Sequence, residues 1–230
     1  RDYDRMYELL RHERDKGRIV WVLGPALAFD YDSRSAMSEI IESGYAHAVL
    51  AGNALATHDI EAALFGTGLG QDIYTKEYRR LGHYHHLDAI NTVRRHGSIE
   101  RMFDLGLIKD GIVHACLRKG VPLVLAGSIR DDGPLPKVIA DAYMAQDAMR
   151  DAVRDATTVI ALATQLHAIA TGNMLPSYQI LQGSVRPVYF YIVDISEFAL
   201  DKLANRGSLE VRGIVTNVQD FLINLKRALV

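Results

Sequence analysis

Short runs of apolar residues, each ended by a small or polar residue, recur along this chain. A continuous apolar run of this length indicates a strand that is covered on both faces of its sheet. We predict strands at residues 19–23, 48–51, 123–126, 158–163, 188–193 and 213–215. The spacing between them predicts helices at 36–43, 60–65, 86–95, 112–119, 138–154, 198–204 and 218–229. Strands that alternate with helices predict an α/β fold with a doubly wound, mostly parallel sheet.

Composition narrows the class of protein. The 230 residues suit one α/β domain over 1–230, with 49% hydrophobic residues and a net charge of −2. This charge, without a basic run, argues against a nucleic-acid surface, and no apolar run is long enough for a membrane helix. The single cysteine, Cys116, excludes an internal disulfide and favours a reducing, cytoplasmic compartment. Because the first residue is Arg1 rather than methionine, we expect the C-terminal part of a longer polypeptide.

Two segments, 66–82 and 177–187, are predicted to be surface loops. The first contains Gly66, Gly68 and Gly70, which follow a helical pattern rather than a strand. We interpret them as a helix stop and a loop, since a dinucleotide fingerprint Gly-x-Gly-x-x-Gly must lie between a strand and a helix.

The segment 122–136 carries the clearest candidate site. Its apolar strand ends at Gly127 and Ser128, and the charged residues Arg130, Asp131 and Asp132 follow before a stiff proline-containing turn. Ligands bind beyond the carboxyl ends of the strands in open parallel sheets. The alternative is a structural turn network in which the aspartates cap backbone groups and the arginine pairs internally.

Asp194 ends another apolar strand. Its carboxylate is placed to accept hydrogen bonds from two ribose hydroxyls. Alternatively, Asp194 or Ser196 is the N-cap of the helix that follows. The sequence alone leaves both interpretations open.

A cluster of histidines is a candidate metal site. His83, His85 and His86 lie near Asp88, but adjacent side chains point apart on a helix or strand and no cysteine is near, so we predict no metal site. We expect these histidines to line the cleft or to cap a helix.

Three further side chains carry alternatives. His58 is either a proton carrier or a helix-start residue, and His167, at the end of the fourth predicted strand, is a cleft candidate. Cys116 lies on an amphipathic helix, where we expect a buried hydrophobic side chain rather than a nucleophile.

Strings over nearly the whole chain resemble the family named for lysine-oxoglutarate reductase/saccharopine dehydrogenase (LOR/SDH). That family includes archaeal-type ornithine cyclodeaminases and the C-terminal part of the cyanobacterial arginine dihydrolase/ornithine cyclodeaminase. The strings that carry the resemblance are AGNALATHDIE at 51–61, GHYHH at 82–86, AIN at 89–91, AGSIRDDGPLP at 126–136, AQDAMR at 145–150, LATQLH at 162–167, GNMLP at 172–176, VD at 193–194 and GIVT at 213–216.

The resemblance implies a deoxyhypusine-synthase-like NAD-binding fold, which is Rossmann-like but lacks Gly-x-Gly-x-x-Gly. It implies tightly held NAD and conversion of L-ornithine to L-proline and ammonia. The residues that match the family's NAD contacts are Asn53, Ala54, Asp132, Thr164, Gln165, Leu166, His167, Asp194, Asn217 and Val218. Asn217 departs from the aspartate common in relatives, and we expect the additional N-terminal region of other members to lie outside these 230 residues.

The implied reaction assigns roles to the charged residues after the third strand. Asp131 or Asp132 would hold the cationic amine and accept a proton, and Arg130 would hold the substrate carboxylate. An acid at Asp194 favours NAD over NADP, because it would repel a 2′-phosphate. We also expect a homo-oligomer, since related folds commonly assemble.

Two other functions remain open at this point. The first is a non-catalytic NAD-binding or regulatory module of a larger amino-acid-metabolising enzyme. The second is an NAD-dependent dehydrogenase of the lysine or saccharopine type.

Overall fold

The computed structural model describes residues 2–204 and 210–230. The described strands are β1 (Ile19–Leu23), β2 (Ala48–Gly52), β3 (Thr67–Gly68), β4 (Gln71–Asp72), β5 (Leu123–Ala126), β6 (Thr158–Leu162), β7 (Tyr178–Leu181), β8 (Ser184–Pro187), β9 (Tyr189–Asp194) and β10 (Glu210–Val215). The described helices are α1 (Asp2–Lys16), α2 (Tyr31–Glu42), α3 (Asn53–Phe65), α4 (His85–His96), α5 (Ile99–Asp104), α6 (Ile112–Lys119), α7 (Ala142–Val153), α8 (Leu166–Met174), α9 (Phe198–Ala204) and α10 (Val218–Leu229), with short 3₁₀ turns at Pro25–Ala28 and Gly82–Tyr84.

Six parallel strands form the main sheet, in the order β5-β2-β1-β6-β9-β10. Numbered along the chain, this is the Rossmann order 3-2-1-4-5-6. The winding direction reverses between β1 and β6, which opens a crevice at the carboxyl ends of these strands. The predicted doubly wound parallel sheet and its six strands are confirmed.

The core lies on both faces of the sheet because the central strands β1 and β6 are buried at every position. Along β1, Trp21 packs in one layer with residues such as Met37 of α2. Its neighbour Val22 points to the other layer, with Met149 of α7. The Trp21 indole N–H donates to the Tyr45 carbonyl at 2.7 Å, so this buried donor keeps a partner.

Local capping sets several helix boundaries. The Asp30 carboxylate accepts from the Ser33 N–H and starts α2, and Asp141 does the same for α7. Gly66 ends α3 with a φ of 68°, which a glycine adopts without strain. The prediction that α3 begins at residue 60 is wrong, since it begins at Asn53 directly after β2.

The structure adds elements that the periodicity did not predict. The predicted loop 177–187 contains the antiparallel hairpin of β7 and β8, and 66–82 contains the two short strands β3 and β4. Helices α1, α5 and α8 were also not predicted. Helix α1 buries few apolar side chains, among them Met6 and Leu10, so its sequence has a weak helical pattern. Within the described residues, no helix has both the length and the apolar character to cross a bilayer.

Candidate functional site

A cavity of about 370 Å³ opens beyond the carboxyl ends of β1, β2 and β5; we call it the first cavity. The sequence-predicted residues that line it are Asn53, Ala54, Arg130, Asp131 and Asp132. They come from the start of α3 and from the loop after β5, which lie on neighbouring strands of the sheet. The structure therefore brings the candidate catalytic residues and part of the candidate NAD contacts together.

A second cavity, of about 510 Å³, lies at the same edge beyond β6, β9 and β10. It is lined by Asp194, Asn217 and Val218. The turn Pro25–Ala28 separates the two, since Pro25 lines the first cavity and Ala26 the second. One edge of the sheet thus holds both groups of predicted residues, in cavities that share the turn after β1 as a wall.

Asn53 links α3 to the loop after β5. Its side-chain amide donates to the Gly133 carbonyl at 3.1 Å, and the Leu135 N–H donates to its Oδ1 at 2.9 Å. The side chain is therefore committed to the loop, and the start of α3 lines the first cavity without a side-chain cap. Gly52, the N-cap residue, supplies no side-chain acceptor. An uncapped helix N-terminus favours an anion such as a phosphate group.

The turn after β5 separates the three charged residues. The Ser128 N–H donates to Asp131 Oδ2 at 2.8 Å, as the turn-network alternative predicts. Asp132 instead lies 3.2 Å from His86 Nε2, with 65% of its side chain exposed. Arg130 is exposed at the rim of the first cavity. Asp132 and Arg130 are thus accessible to a substrate, whereas Asp131 holds the turn.

His58 lines the first cavity as part of a buried pair with Glu61. His58 is the sixth residue of α3, so the interpretation as a helix-start residue is wrong. Its Nδ1 lies 3.1 Å from Glu61 Oε2, and the two side chains are 12% and 0% exposed. Phe29 packs against the imidazole, with ring centroids 4.8 Å apart. The histidine is therefore held in one orientation at the cavity wall.

Glu61 keeps its charge although it is fully buried. It accepts hydrogen bonds from Thr67 Oγ1 and from the N–H groups of Leu69 and Gly70, in addition to His58. Burial alone would raise the pKa of Glu61, but these hydrogen bonds outweigh it and lower the pKa below its usual value. The loop that ends α3 is therefore built around a carboxylate.

Two buried polar atoms in the wall of the first cavity lack a partner among the described residues. They are the Thr57 hydroxyl and His86 Nδ1. Thr57 is 3% exposed, and a buried hydroxyl without a hydrogen bond is costly. Orphaned groups in a cavity wall indicate that a polar ligand or water completes them.

The histidine cluster divides between different contacts. His85 Nδ1 lies 2.9 Å from Thr67 Oγ1, and its ring stacks on Phe65, whereas His86 faces the first cavity. His83 packs against Tyr84. Over residues 2–204 and 210–230, no group of three or more His, Cys, Asp or Glu side chains has metal-binding geometry.

The segment 164–167 follows β6 at the crevice. Thr164 and His167 are half-buried, and the side chains of Gln165 and Leu166 are exposed. His167 is the second residue of α8 rather than the end of a strand, and burial lowers its pKa. None of these four described residues lines either cavity, and their NAD contacts stay a prediction.

Asp194 and Asn217 make short local contacts in the second cavity. Asp194 Oδ1 accepts from the Ser196 N–H at 3.2 Å, but α9 begins only at Phe198, so Asp194 is not its N-cap. Asn217 caps α10 by accepting from the Gln219 N–H at 2.8 Å. The second Asp194 oxygen has no partner among the described residues, which leaves it for a ligand.

Two interpretations from the sequence are confirmed outside the cavities. Cys116 is fully buried in the core, and burial raises the pKa of its thiol, so it is unsuited to be a nucleophile. Gly66 is the helix stop predicted for the glycine-rich segment.

From the sequence, the role of His58 stays open, Glu61 is noted beside it without a role, and Thr57 is not a candidate. The available signal was the spacing of three between His58 and Glu61, which places them on one face of a helix. It was overlooked because the predicted helix began at residue 60.

Several known proteins are similar to this chain over nearly its whole length. Ornithine cyclodeaminase from Methanopyrus kandleri is 46% identical over 225 residues, which are 98% of this chain and 52% of that protein. A LOR/SDH protein from Methanococcus maripaludis matches with a TM-score of 0.89 and 42% identity, over 98% of this chain and 66% of that one. This chain thus spans about half the length of the curated archaeal relative.

Two further structures bear on the fold and on the site. The ternary complex of AgrE with ornithine and NAD⁺ matches with a TM-score of 0.88 and 40% identity, over 98% of this chain and 32% of that one. A deoxyhypusine synthase from Entamoeba histolytica matches with a TM-score of 0.51 at 9% identity, over 92% of this chain and 75% of that one. The second likeness concerns the fold alone and confirms the deoxyhypusine-synthase-like prediction.

A family model covers nearly the whole chain. The model for the C-terminal, Rossmann-fold part of ArgZ-like arginine dihydrolases matches residues 4–225. Together with the archaeal relative at 46% identity, this match also confirms the resemblance drawn from the sequence. The chain therefore belongs to the ArgZ-like arginine dihydrolase C-terminal family of Rossmann-fold domains.

Proposed function

We propose that this chain is the NAD-binding part of an ornithine cyclodeaminase, which converts L-ornithine to L-proline and ammonia. The observation that carries the proposal is the likeness to AgrE in its complex with ornithine and NAD⁺, at 40% identity over 98% of this chain. The paired cavities at the carboxyl edge of a sheet in Rossmann order support it.

The residues present fit NAD. Gly24 packs so closely on the turn after β6 that a Cβ there would lie 1.8 Å from the Ala163 carbonyl oxygen, which keeps side chains out of the crevice floor. The uncapped start of α3 suits a phosphate, and the orphaned Thr57 hydroxyl suits a polar ligand. Bound NAD would supply the acceptor and donor of a hydride.

We assign the cofactor contacts as the resemblance implies. The residues that would hold NAD are Asn53 and Ala54 through their backbone, Asp132, Thr164 to His167, Asp194, Asn217 and Val218. The free oxygen of Asp194 would accept from a ribose hydroxyl, and its charge would disfavour NADP. Asn217 would act mainly through the position it gives to α10, because its Oδ1 already caps that helix.

The amino-acid substrate would lie in the first cavity. Arg130 at its rim would hold the substrate carboxylate, for which a guanidinium is well shaped. Asp132 would hold a cationic amine and accept a proton, and it suits this role better than Asp131, whose Oδ2 is bonded to the Ser128 N–H. Both adjacent carboxylates would raise the local negative potential that attracts an amine.

A second candidate function is a non-catalytic NAD-binding or regulatory module of a larger amino-acid-metabolising enzyme. The observation that favours it is length, since this chain spans 52% of the archaeal relative. A homo-oligomeric assembly and a cytoplasmic location stay predictions under both functions.

The test is turnover of L-ornithine by the protein at its full natural length, with NAD present. We expect proline and ammonia in equal amounts and no net reduction of NAD. Asp132→Asn is expected to lose roughly 10²-fold or more in kcat, because it removes a proton acceptor of the site. Asp201→Asn, at an exposed position on α9, is the matched control.

A substrate panel separates the alternatives. Turnover of L-lysine or saccharopine with stoichiometric NAD reduction would replace cyclodeamination by a dehydrogenase reaction. NAD binding without turnover of any amino acid would favour the module.

A further inference from the structure

We propose that His58 Nε2 is the group that moves a proton between the two amine nitrogens of the substrate, and that Glu61 is its positioning residue. This inference rests on the proposed function and adds to it the proton carrier of the reaction.

The pair is arranged to leave one imidazole nitrogen for a ligand. The carboxylate of Glu61 can only accept, so the 3.1 Å contact places the ring proton on Nδ1. In the neutral ring Nε2 is then an acceptor, and none of the described residues donates to it. Because the imidazole lines the first cavity, this nitrogen is the one that a ligand meets.

Glu61 does not need His58 to be satisfied. Thr67 Oγ1 and two backbone N–H groups already bind its two oxygens, at 2.9 to 3.1 Å. Without the imidazole, the Glu61 carboxylate would still accept hydrogen bonds from these three donors. The loop is therefore held by donors other than the histidine.

The surroundings hold the ring between two partners. The centroid of the Phe29 ring lies 4.8 Å from that of the His58 ring, and the centroid of the His86 ring lies 6.2 Å from it. His86 in turn is paired with Asp132, the carboxylate proposed to hold the substrate amine. The imidazoles of two imidazole–carboxylate pairs thus line the same cavity. The charged group in contact with His58 is Glu61, and the charged side chains that share the cavity wall with it are Asp132, Asp131 and Arg130.

The chemistry needs such a carrier. Ornithine enters with two ammonium groups, and the products are proline with a protonated ring nitrogen plus an ammonium ion, so protons are relocated and none is lost. Before hydride can leave Cα, the α-ammonium must lose a proton, so that its lone pair can form the C=N bond. The side-chain ammonium must lose a second proton before its nitrogen bonds to Cα. The α-nitrogen must gain a proton before its bond to Cα breaks and ammonia leaves, and the ring nitrogen loses one as the ring C=N bond forms. His58 Nε2 would take the proton of the side-chain ammonium and give it to the α-nitrogen, while the other two protons end on the proline nitrogen and on ammonia.

The closing experiment uses the full-length protein with NAD and L-ornithine. His58→Asn places an amide N–H near the position of Nδ1 and so keeps a donor for Glu61, while it removes Nε2. We expect kcat to fall roughly 10²- to 10⁴-fold, with KM and NAD affinity within about threefold of the wild type. Glu61→Gln is expected to lose roughly 10²-fold in kcat, since an amide that donates to Nδ1 would move the ring proton to Nε2.

Two controls make the result specific. His96 lies on α4 and does not line the first cavity, and its Nδ1 is hydrogen-bonded to the Thr92 carbonyl. The variant His96→Gln is therefore expected to keep the wild-type kcat. His58→Ala is expected to regain part of its kcat when imidazole is added, because the cavity of about 370 Å³ admits the free ring.

His58→Asn with kcat within threefold of an active wild type would overturn the inference and leave the proposed function standing. A joint loss of kcat and NAD affinity, without rescue by imidazole, would also overturn it in favour of a structural role. A wild-type protein that binds NAD but does not turn over ornithine would overturn both.

Discussion

The two ends of the parallel sheet each bury a glutamate completely, but the two carboxylates have different partners. At the amino end, Glu13 of α1 is 0% exposed. Its two carboxylate oxygens accept hydrogen bonds from the two terminal guanidinium nitrogens of Arg186, at 2.7 and 2.9 Å. The hydroxyls of Thr157 and Thr158 complete its hydrogen bonds. At the carboxyl end, Glu61 is bonded to neutral backbone and hydroxyl donors and to His58.

The partner decides what a buried carboxylate can do. A guanidinium can only donate, so the pair of Arg186 with Glu13 is a fixed connection between α1, β6 and β8. A Cβ at Gly17 would lie 2.4 Å from Glu13 Oε2, so the backbone packs closely against this carboxylate. An imidazole can gain and lose a proton, and His58 lines a cavity. We therefore expect changes at the amino end to alter stability and changes at the carboxyl end to alter binding and turnover.

The largest expected effect tests the amino end. Arg186→Met leaves the Glu13 carboxylate buried without its cation and should lower the free energy of unfolding by about 3 kcal/mol. Denaturant unfolding measures it, and NAD affinity of the folded variant should stay unchanged. Arg150→Met, which breaks an exposed pair with Asp147, should cost only about 0–1 kcal/mol. A comparable loss in both variants would contradict the special role of the buried pair.

A smaller effect tests the carboxyl end. Asp194→Asn keeps an oxygen for the Ser196 N–H but removes the charge proposed to bind a ribose. We expect the Kd for NAD to rise about tenfold, which corresponds to the loss of one hydrogen bond to a charged group. The ratio of the Kd for NADP to the Kd for NAD should decrease, and the free energy of unfolding should hardly change. Calorimetric titration measures both affinities, and an unaltered Kd would remove Asp194 from the cofactor site.

The smallest expected effect is the loss of stability in acid, to which both buried glutamates contribute. Burial alone would raise the pKa of each, but hydrogen bonds, joined by the Arg186 charge for Glu13, lower both pKa values below the ordinary 4.5. Their contribution to stability is therefore complete above the unfolded pKa and is lost as pH falls through the folded pKa. The free energy of unfolding of the wild type should fall below about pH 4.5. Glu13→Gln should show a shallower decline, and an equal slope would exclude Glu13 as a contributor.

Apolar runs and strand-end residues made much of this fold predictable. The run Ile19–Leu23 is buried at every position, and a short continuous apolar run of this kind is typical of a strand covered on both faces. Alternation with helices then fixed a parallel sheet, because parallel neighbours need a crossover between them. The hairpin of β7 and β8 escaped prediction, since Tyr178 and Ile180 remain 65% and 74% exposed and give no buried pattern.

The candidate site was predictable only in part. Arg130 and Asp132 stood out because nothing in core packing calls for charge directly after a buried strand. That Asp131 closes a turn while Asp132 pairs with His86 depends on the backbone between them, which the sequence does not show. The start of α3 was missed because Asn53 is bound to a loop 80 residues further along the chain rather than to a local cap.

By itself, the sequence determined the class of fold and the edge of the sheet at which polar residues gather, since both follow from local periodicity and from where buried runs end. The tertiary structure alone decided the partners of those polar residues. Glu13 and Glu61 look alike in the sequence, and only the packing of distant elements gives one a fixed cation and the other a titratable ring beside a cavity. The physical reason is that burial makes a carboxylate depend on its neighbours, and those neighbours are brought together by the fold.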